Sequence, residues 1–273
     1  MLSYFKKKQE FNKIAEDIKL IKIQGARNVA KAALEAYSLV PFESSIKKLK
    51  SLRPTEPMLF NVLDKLKQGF TKSEILVHFD SAQDGINYEV LKLIKNNDII
   101  FTHCHSTNVV NSLIYSKKKG KHFQIYNTET RPLFQGRKTA KDLLKHKIPV
   151  TMFVDSALGI ALSGSKDLKK PTKIFLGADA LLENGIINKV GSNLVAQIAH
   201  LQKIPVYIIA DSWKFSNQKI PIEQRGLNEV WDRAPKHIKI KNPAFEFVSK
   251  RYIKAIISEK GNLTYDEFLK KVK

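Results

Sequence analysis

The chain has 273 residues, 43% of them hydrophobic, enough for one large domain or two modest ones, which argues against disorder. No apolar run approaches the roughly 18–20 residues that span a bilayer, and one cysteine, Cys104, excludes an internal disulfide and a CxxC metal pattern. The formal net charge of +21 rests on scattered lysines (Lys6 to Lys8, Lys47 to Lys50, Lys117 to Lys121, Lys270 to Lys273) without interleaved aromatics, so nucleic acid is not the expected partner; a solvated surface is, with a phosphate-bearing partner as the alternative.

The first residues, MLSYFKKKQEFNKIAEDIKL, are charged and lack the apolar core of a secretory signal, so a cytoplasmic protein is expected. Phe11, Ile14, Ile18 and Ile21 recur at helical spacing within Phe5 to Ile23. After Gly25 an alanine-rich helix is predicted over Ala26 to Tyr37. Pro41 and the Arg53-Pro54-Thr55 turn interrupt the pattern. Leu59 to Lys67 and Ser73 to His78 are further predicted helices. From about residue 85 short apolar runs alternate with helical stretches. The runs are Asp98 to Thr102, Phe123 to Tyr126, Pro149 to Val154, Lys173 to Leu176 and Pro205 to Ile209. The helices between them are Val109 to Lys117, Arg137 to Lys145, Ala157 to Leu162 and Asn193 to Gln202. Such alternation predicts a parallel sheet covered on both faces. The expected fold is α/β: a small N-terminal helical domain over residues 1–84, then a Rossmann-like parallel-sheet domain with helices on both faces over residues 85–273.

Ligands of open parallel sheets bind beyond the carboxyl ends of the strands. In this sequence those ends carry His103-Cys104-His105-Ser106, Asn127 to Arg131, Asp155-Ser156, Gly177-Ala178-Asp179 followed by Asn188-Lys189, and Asp211 to Lys214. The chemistry suggested is proton transfer on a phosphorylated substrate. A thiol serves as base when its neighbours lower its pKa, and a carboxyl such as Asp179 serves as acid when an apolar pocket keeps it protonated. Arg53, Arg131 and Lys214 are candidates to hold phosphate or orient the site. The Gly191-Ser192 turn opens a helix whose N-terminus also favours phosphate. Glu129 and Arg131 are candidates for a structural ion pair, and His103 and His105 for packing or local hydrogen bonding. One cysteine between two histidines is poor zinc spacing, and no GxGxxG or Walker motif is present.

Asn127-Thr128-Glu129-Thr130-Arg131-Pro132, continued by Gln135-Gly136-Arg137, resembles the TETRP…GR signature of the initiation factor 2B-like superfamily. Gln24-Gly25-Ala26, Arg53-Pro54-Thr55, Gly177-Ala178-Asp179, Asn188 to Ser192 and Pro205-Val206-Tyr207 extend the resemblance over nearly the whole chain. That superfamily holds regulatory subunits of a translation factor, methylthioribose-1-phosphate isomerases and ribose-1,5-bisphosphate isomerases. The run Thr102 to Ser106 and Arg53-Pro54-Thr55 are most similar to the last branch, as found in archaea.

The resemblance implies an aldose–ketose isomerase that makes ribulose-1,5-bisphosphate within AMP salvage, without metal or other cofactor. It implies Cys104 as proton acceptor and Asp179 as proton donor. It also implies Gln24, Gly25, Ala26, Arg27, Arg53, Ser106, Thr107, Asn108, Asn188, Lys189 and Lys214 as substrate-binding positions. A homo-oligomer, dimer or higher, and a nucleotide effector are implied with it. Two positions depart from the family pattern. Gln24 stands where an arginine is usual, so that a phosphate contact is either lost or supplied by Arg27. The stretch from Asp179 to Asn188 is one residue short. The rival readings are a non-catalytic regulatory subunit and a methylthioribose-1-phosphate isomerase.

Overall fold

The structure is a computed structural model that describes residues 2–222 and 224–273. Five helices come first: α1 (Leu2–Lys19), α2 (Ala26–Leu39), α3 (Glu43–Leu52), α4 (Pro57–Lys67) and α5 (Lys72–Leu93). The helical spacing of α1 buries Phe11, Ala15 and Ile18 against Val29 and Ala33 of α2. α3 is a helix the sequence pattern did not announce. Its apolar pair Ile46 and Leu49, three residues apart, drops into the same core, and the prolines at 41 and 54 flank it. A capping box between Thr71 and Glu74 starts α5, a device worth about 1 kcal/mol. The expected helix over Ser73 to His78 is only its beginning, and α5 continues unbroken through residues 84 and 85.

Alternation then follows: β1 (Asp98–Thr102), α6 (Thr107–Lys118), β2 (Phe123–Thr128), α7 (Gln135–Leu144), β3 (Val150–Phe153), α8 (Leu158–Ser163) and β4 (Lys173–Leu176). A short antiparallel excursion, β5 (Ala180–Leu181) and β6 (Gly185–Lys189), precedes α9 (Ser192–Leu201) and β7 (Val206–Ile209). β8 (Phe245–Ser249), β9 (Ala255–Ser258), β10 (Gly261–Leu263) and α10 (Tyr265–Val272) complete the chain. The main sheet runs β10-β9-β7-β4-β1-β2-β3, parallel except for β10. β5, β6 and β8 form a separate three-stranded antiparallel sheet.

Successive residues of the strands point to opposite faces. Ile174, Leu176 and Ile256 join the core under α8, α9 and α10. Phe175, Ile125 and Ile257 join the core under α5 and α6. Helices therefore cover both faces, and the sheet is the doubly wound, mostly parallel one expected. Strand order departs in opposite directions from the β1–β4 pair, because β2 and β3 lie beyond β1 while β7 and β9 lie beyond β4. This is a topological switch point, where strand-end loops diverge and leave a crevice.

Candidate active site

Cys104 and Asp179 follow the two strands of that switch point, β1 and β4. Cys104 is held in a left-handed conformation, φ 66°, which costs a non-glycine residue on the order of 1 kcal/mol or more. Its backbone is pinned on both sides. Its N–H donates to Thr130 Oγ1 (3.0 Å), and its carbonyl accepts from Thr139 Oγ1 (2.9 Å). Thr130 is itself left-handed, φ 62°. Its N–H donates to Asp155 Oδ1 (2.9 Å), while the Arg131 N–H donates to Asp155 Oδ2 (2.6 Å). Asp155 thus serves the turn that orients Cys104. The Arg131 guanidinium donates to the Val230 carbonyl (3.0 Å) and does not line the crevice; of its two expected roles, holding phosphate or orienting the site, its backbone N–H on Asp155 serves the second. Glu129 pairs with Arg137 (2.7 Å), not with Arg131.

Asp179 is fixed by its N–H, which donates to the Ile187 carbonyl of β6 (2.9 Å). Gly177, just before it, touches Ser106: a Cβ there would lie 2.6 Å from Ser106 Cβ and Oγ. The two strand-end loops therefore meet only because residue 177 is glycine. Ser106 caps α6 through Val109 N–H (3.5 Å). Asn108 is buried and donates to Gln83 Oε1 of α5 (3.0 Å). Asn188 and Lys189 end β6 instead of sitting in a loop. Asn188 Nδ2 donates to Ser192 Oγ (2.8 Å), and Lys189 Nζ lies 4.8 Å from the Phe245 ring centroid. Lys214 is buried and donates to the Ala178 carbonyl (2.6 Å), one residue before Asp179.

The helical part supplies the facing wall. Gly25, φ 86°, turns the chain into α2 and sets Gln24, Ala26 and Arg27 on the rim. Arg27 pairs with Asp80 and lies 5.5 Å from the Phe79 ring centroid. Arg53 is buried beside Glu56 (3.1 Å). Every residue that the family resemblance implies for catalysis or substrate binding lines one cavity of about 490 Å³, from Gln24 to Lys214, with Cys104 and Asp179 in its wall. Residues that the sequence did not single out line it too, Lys22, Glu56, Lys138, Asp142 and Arg225, together with Gln135 of the signature. Lys138 directly follows the Gly136-Arg137 motif, a signal that could have been used. Arg225 lies in an irregular stretch that offers none.

The electrostatics of this cavity are cationic. Lys22, Arg27, Arg53, Lys138, Lys189, Lys214 and Arg225 line it with Glu56, Asp142 and Asp179; Lys22, Arg27, Arg53, Lys138 and Arg225 are matched by Asp17, Asp80, Glu56, Asp142 and Glu229, which leaves Lys189 and Lys214 in no ion pair among the described residues. Burial pushes the Cys104 thiol up to about 11. Lys189 pulls it down, while Asp179 and Asp155 push it further up. Burial also holds His103 below its usual value and, with Lys138, brings His105 down to about 4, so both are neutral at pH 7. They are engaged locally: His103 with Thr128 Oγ1 (2.6 Å) and the Val190 carbonyl (2.8 Å), His105 with Thr139 Oγ1 (3.0 Å). The N-terminus of α9 is occupied as well, because Asn193 N–H donates to Glu246 (2.8 Å) and the His103 ring packs on Gly191. The anion site expected there is taken by the protein itself.

The model of the initiation factor 2 subunit family matches residues 22–265. The chain belongs to that family. A ribose 1,5-bisphosphate isomerase of Pyrococcus furiosus is 31% identical to it, over 93% of this chain and 90% of the relative. A ribose 1,5-bisphosphate isomerase of Methanocaldococcus jannaschii is 33% identical, over 90% of this chain and 89% of the relative. Among solved structures, translation initiation factor eIF-2B of Pyrococcus horikoshii OT3 superposes with a TM-score of 0.80 at 23% identity, covering 93% of this chain and 96% of that one. At that identity the likeness speaks for the fold. No helix among the described residues is long and apolar enough to cross a membrane.

Among the described residues, one group of possible metal ligands comes together, His78, Asp211 and Glu259. Its polar atoms are engaged with one another and with the turn beside them. His78 Nε2 meets Asp211 Oδ1 (3.1 Å), Trp213 N–H donates to the same oxygen (2.9 Å), and Ser212 N–H donates to Glu259 (3.1 Å). The group acts as a clasp that fixes the turn carrying Lys214.

Proposed function

We propose that this chain is a sugar-phosphate isomerase that converts ribose-1,5-bisphosphate to ribulose-1,5-bisphosphate, with Cys104 and Asp179 as its acid–base pair. The observation that carries the reading is that a thiol and a carboxyl, from the two strands of the switch point, open into one cavity with a surplus of cations. The curated relatives named ribose 1,5-bisphosphate isomerase support the same substrate. A bisphosphate carries more charge than a methylthio sugar monophosphate and suits better a cavity where Lys189 and Lys214 stand without a paired carboxylate among the described residues. A homo-oligomer belongs to this reading. Met152 and Val154, on and just after the edge strand β3, and Ile160 nearby expose apolar surface suited to a second copy.

Asp179, protonated, gives its proton to the ring oxygen, and the bond from that oxygen to carbon 1 breaks. The Cys104 thiolate takes the proton from carbon 2, leaving an enediol-like intermediate. The thiol returns that proton to carbon 1. The proton lost from the 2-hydroxyl as the ketone forms restores the acid. Lys189 steadies the thiolate, and Lys214 and Arg53 steady the phosphates.

The test is turnover of ribose-1,5-bisphosphate by the wild-type chain beside Cys104→Ser and Asp179→Asn, with methylthioribose-1-phosphate as comparison substrate. Turnover of the bisphosphate, reduced at least about 10³-fold by either substitution, is expected. Preference for the methylthio substrate would move the assignment to that reaction. Turnover of neither substrate by folded protein would overturn the reading.

A further inference from the structure

A second cavity, of about 530 Å³, lies behind the turn that carries Lys214, between α4, residues 212–220 and the end of α10. Ser212, Trp213 and Phe215 line it, so the turn that puts Lys214 into the Cys104 cavity walls this one too. Lys50, Lys65, Lys219, Lys260, Lys271 and Lys273 line it against one acidic side chain among the described residues, Asp64. Lys50 is matched by Asp64 (2.5 Å), Lys260 by Glu259 (3.9 Å) and Lys273 by Glu183. Lys65, Lys219 and Lys271 pair with no carboxylate among the described residues.

Lys65 is half-buried and held by aromatic rings. Its Nζ lies 4.5 Å from the Trp213 ring centroid and 4.8 Å from that of Phe70. His78 stacks on Trp213 at 3.5 Å, with 5° between the ring planes. A ring at that distance leaves no room on its own side, so Lys65 covers the opposite face. With both faces of the indole taken, the cavity offers a ligand charge and not a stacking platform. Three unmatched ammonium groups crowded into one concavity raise the local potential, and a ligand with several anionic oxygens can meet all three.

We infer that this cavity binds a small anion carrying two or more phosphate groups. The inference does not depend on the reaction at Cys104. It is tested by titrating the full chain with pyrophosphate and following Trp213 fluorescence in a Trp231→Phe background, at ionic strength held constant with sodium chloride. A saturable change in emission is expected as Lys65 turns from the indole to the anion. The double substitution Lys219→Gln with Lys271→Gln leaves the Trp213–Lys65 reporter in place, and it is expected to weaken pyrophosphate binding at least about tenfold. A control with the same loss of charge, Lys7→Gln with Lys8→Gln on α1, is expected to bind like the parent. No saturable response in the parent overturns the inference. So does unchanged affinity in the Lys219/Lys271 variant, which would assign the signal to the Cys104 cavity. Equal weakening in the control also overturns it, by reducing the effect to overall charge.

Discussion

At Cys104 two influences oppose each other: burial raises the thiol to about 11, and the Lys189 ammonium lowers it. A base with a raised pKa is mostly protonated at neutral pH, and its active form grows about tenfold per pH unit below that pKa. For the proposed isomerisation, kcat/KM is therefore expected to climb between about pH 7 and about pH 9, with a slope near one in a logarithmic plot. Lys189→Met removes the downward pull. Activity at about pH 8 is expected to fall roughly tenfold or more while the climb persists, because one pKa unit is one decade of thiolate. A flat profile in both proteins would mean that Asp179 loses its proton as Cys104 loses its own, since the step needs the acid protonated and the thiol ionised. The sequence told that Cys104 and Asp179 would share an edge, since both follow apolar runs that read as parallel strands. It did not tell what holds them. Thr130 and Asp155, from two other loops, and Thr139, from α7, fix the Cys104 backbone, and no spacing rule links residues 104, 130, 139 and 155.

Among the elements, the turn between β2 and α7 is the least tolerant. A Cβ on Gly136 would lie 1.8 Å from the Thr128 carbonyl oxygen, and Gly136 N–H donates to the Glu129 carbonyl (3.1 Å). Gly136→Ala must displace backbone on both sides and is expected to cost about 3 kcal/mol, measured by urea unfolding. The parallel strands β1, β2, β4 and β7 were legible because strands buried on both faces read as unbroken apolar runs, and β3, an edge strand with Thr151 and Met152 exposed, was legible from its apolar run alone. The small antiparallel sheet was not. β5 has two residues, and β6 ends in the polar pair Asn188-Lys189, which reads as loop. The helix expected over Ser73 to His78 stops well short of α5, which runs on through Gly85. In the structure Gly85 lets the helix approach the β9–β10 turn, where an added Cβ would lie 3.1 Å from Glu259 Cα. A short-range pattern cannot distinguish a glycine that ends a helix from one that admits a neighbour.

For the whole molecule, +21 charges and a cationic cavity predict electrostatic capture of an anionic substrate. KM for the bisphosphate is expected to rise several-fold between about 0.05 M and about 0.3 M sodium chloride, with kcat little changed, because screening weakens long-range attraction more than contacts inside the site. A KM indifferent to salt would place the recognition in short contacts alone. One more feature acts at this scale. α5 gives Ile75 and Phe79 to a core among the helices, and Ile86 and Val90 to a core under the sheet. A single spindle is thus sunk into two bearings. Neither core is expected to loosen without pulling on the other, so the amide protons of both halves are expected to keep one clock, with the slowest exchange in the helix that joins them.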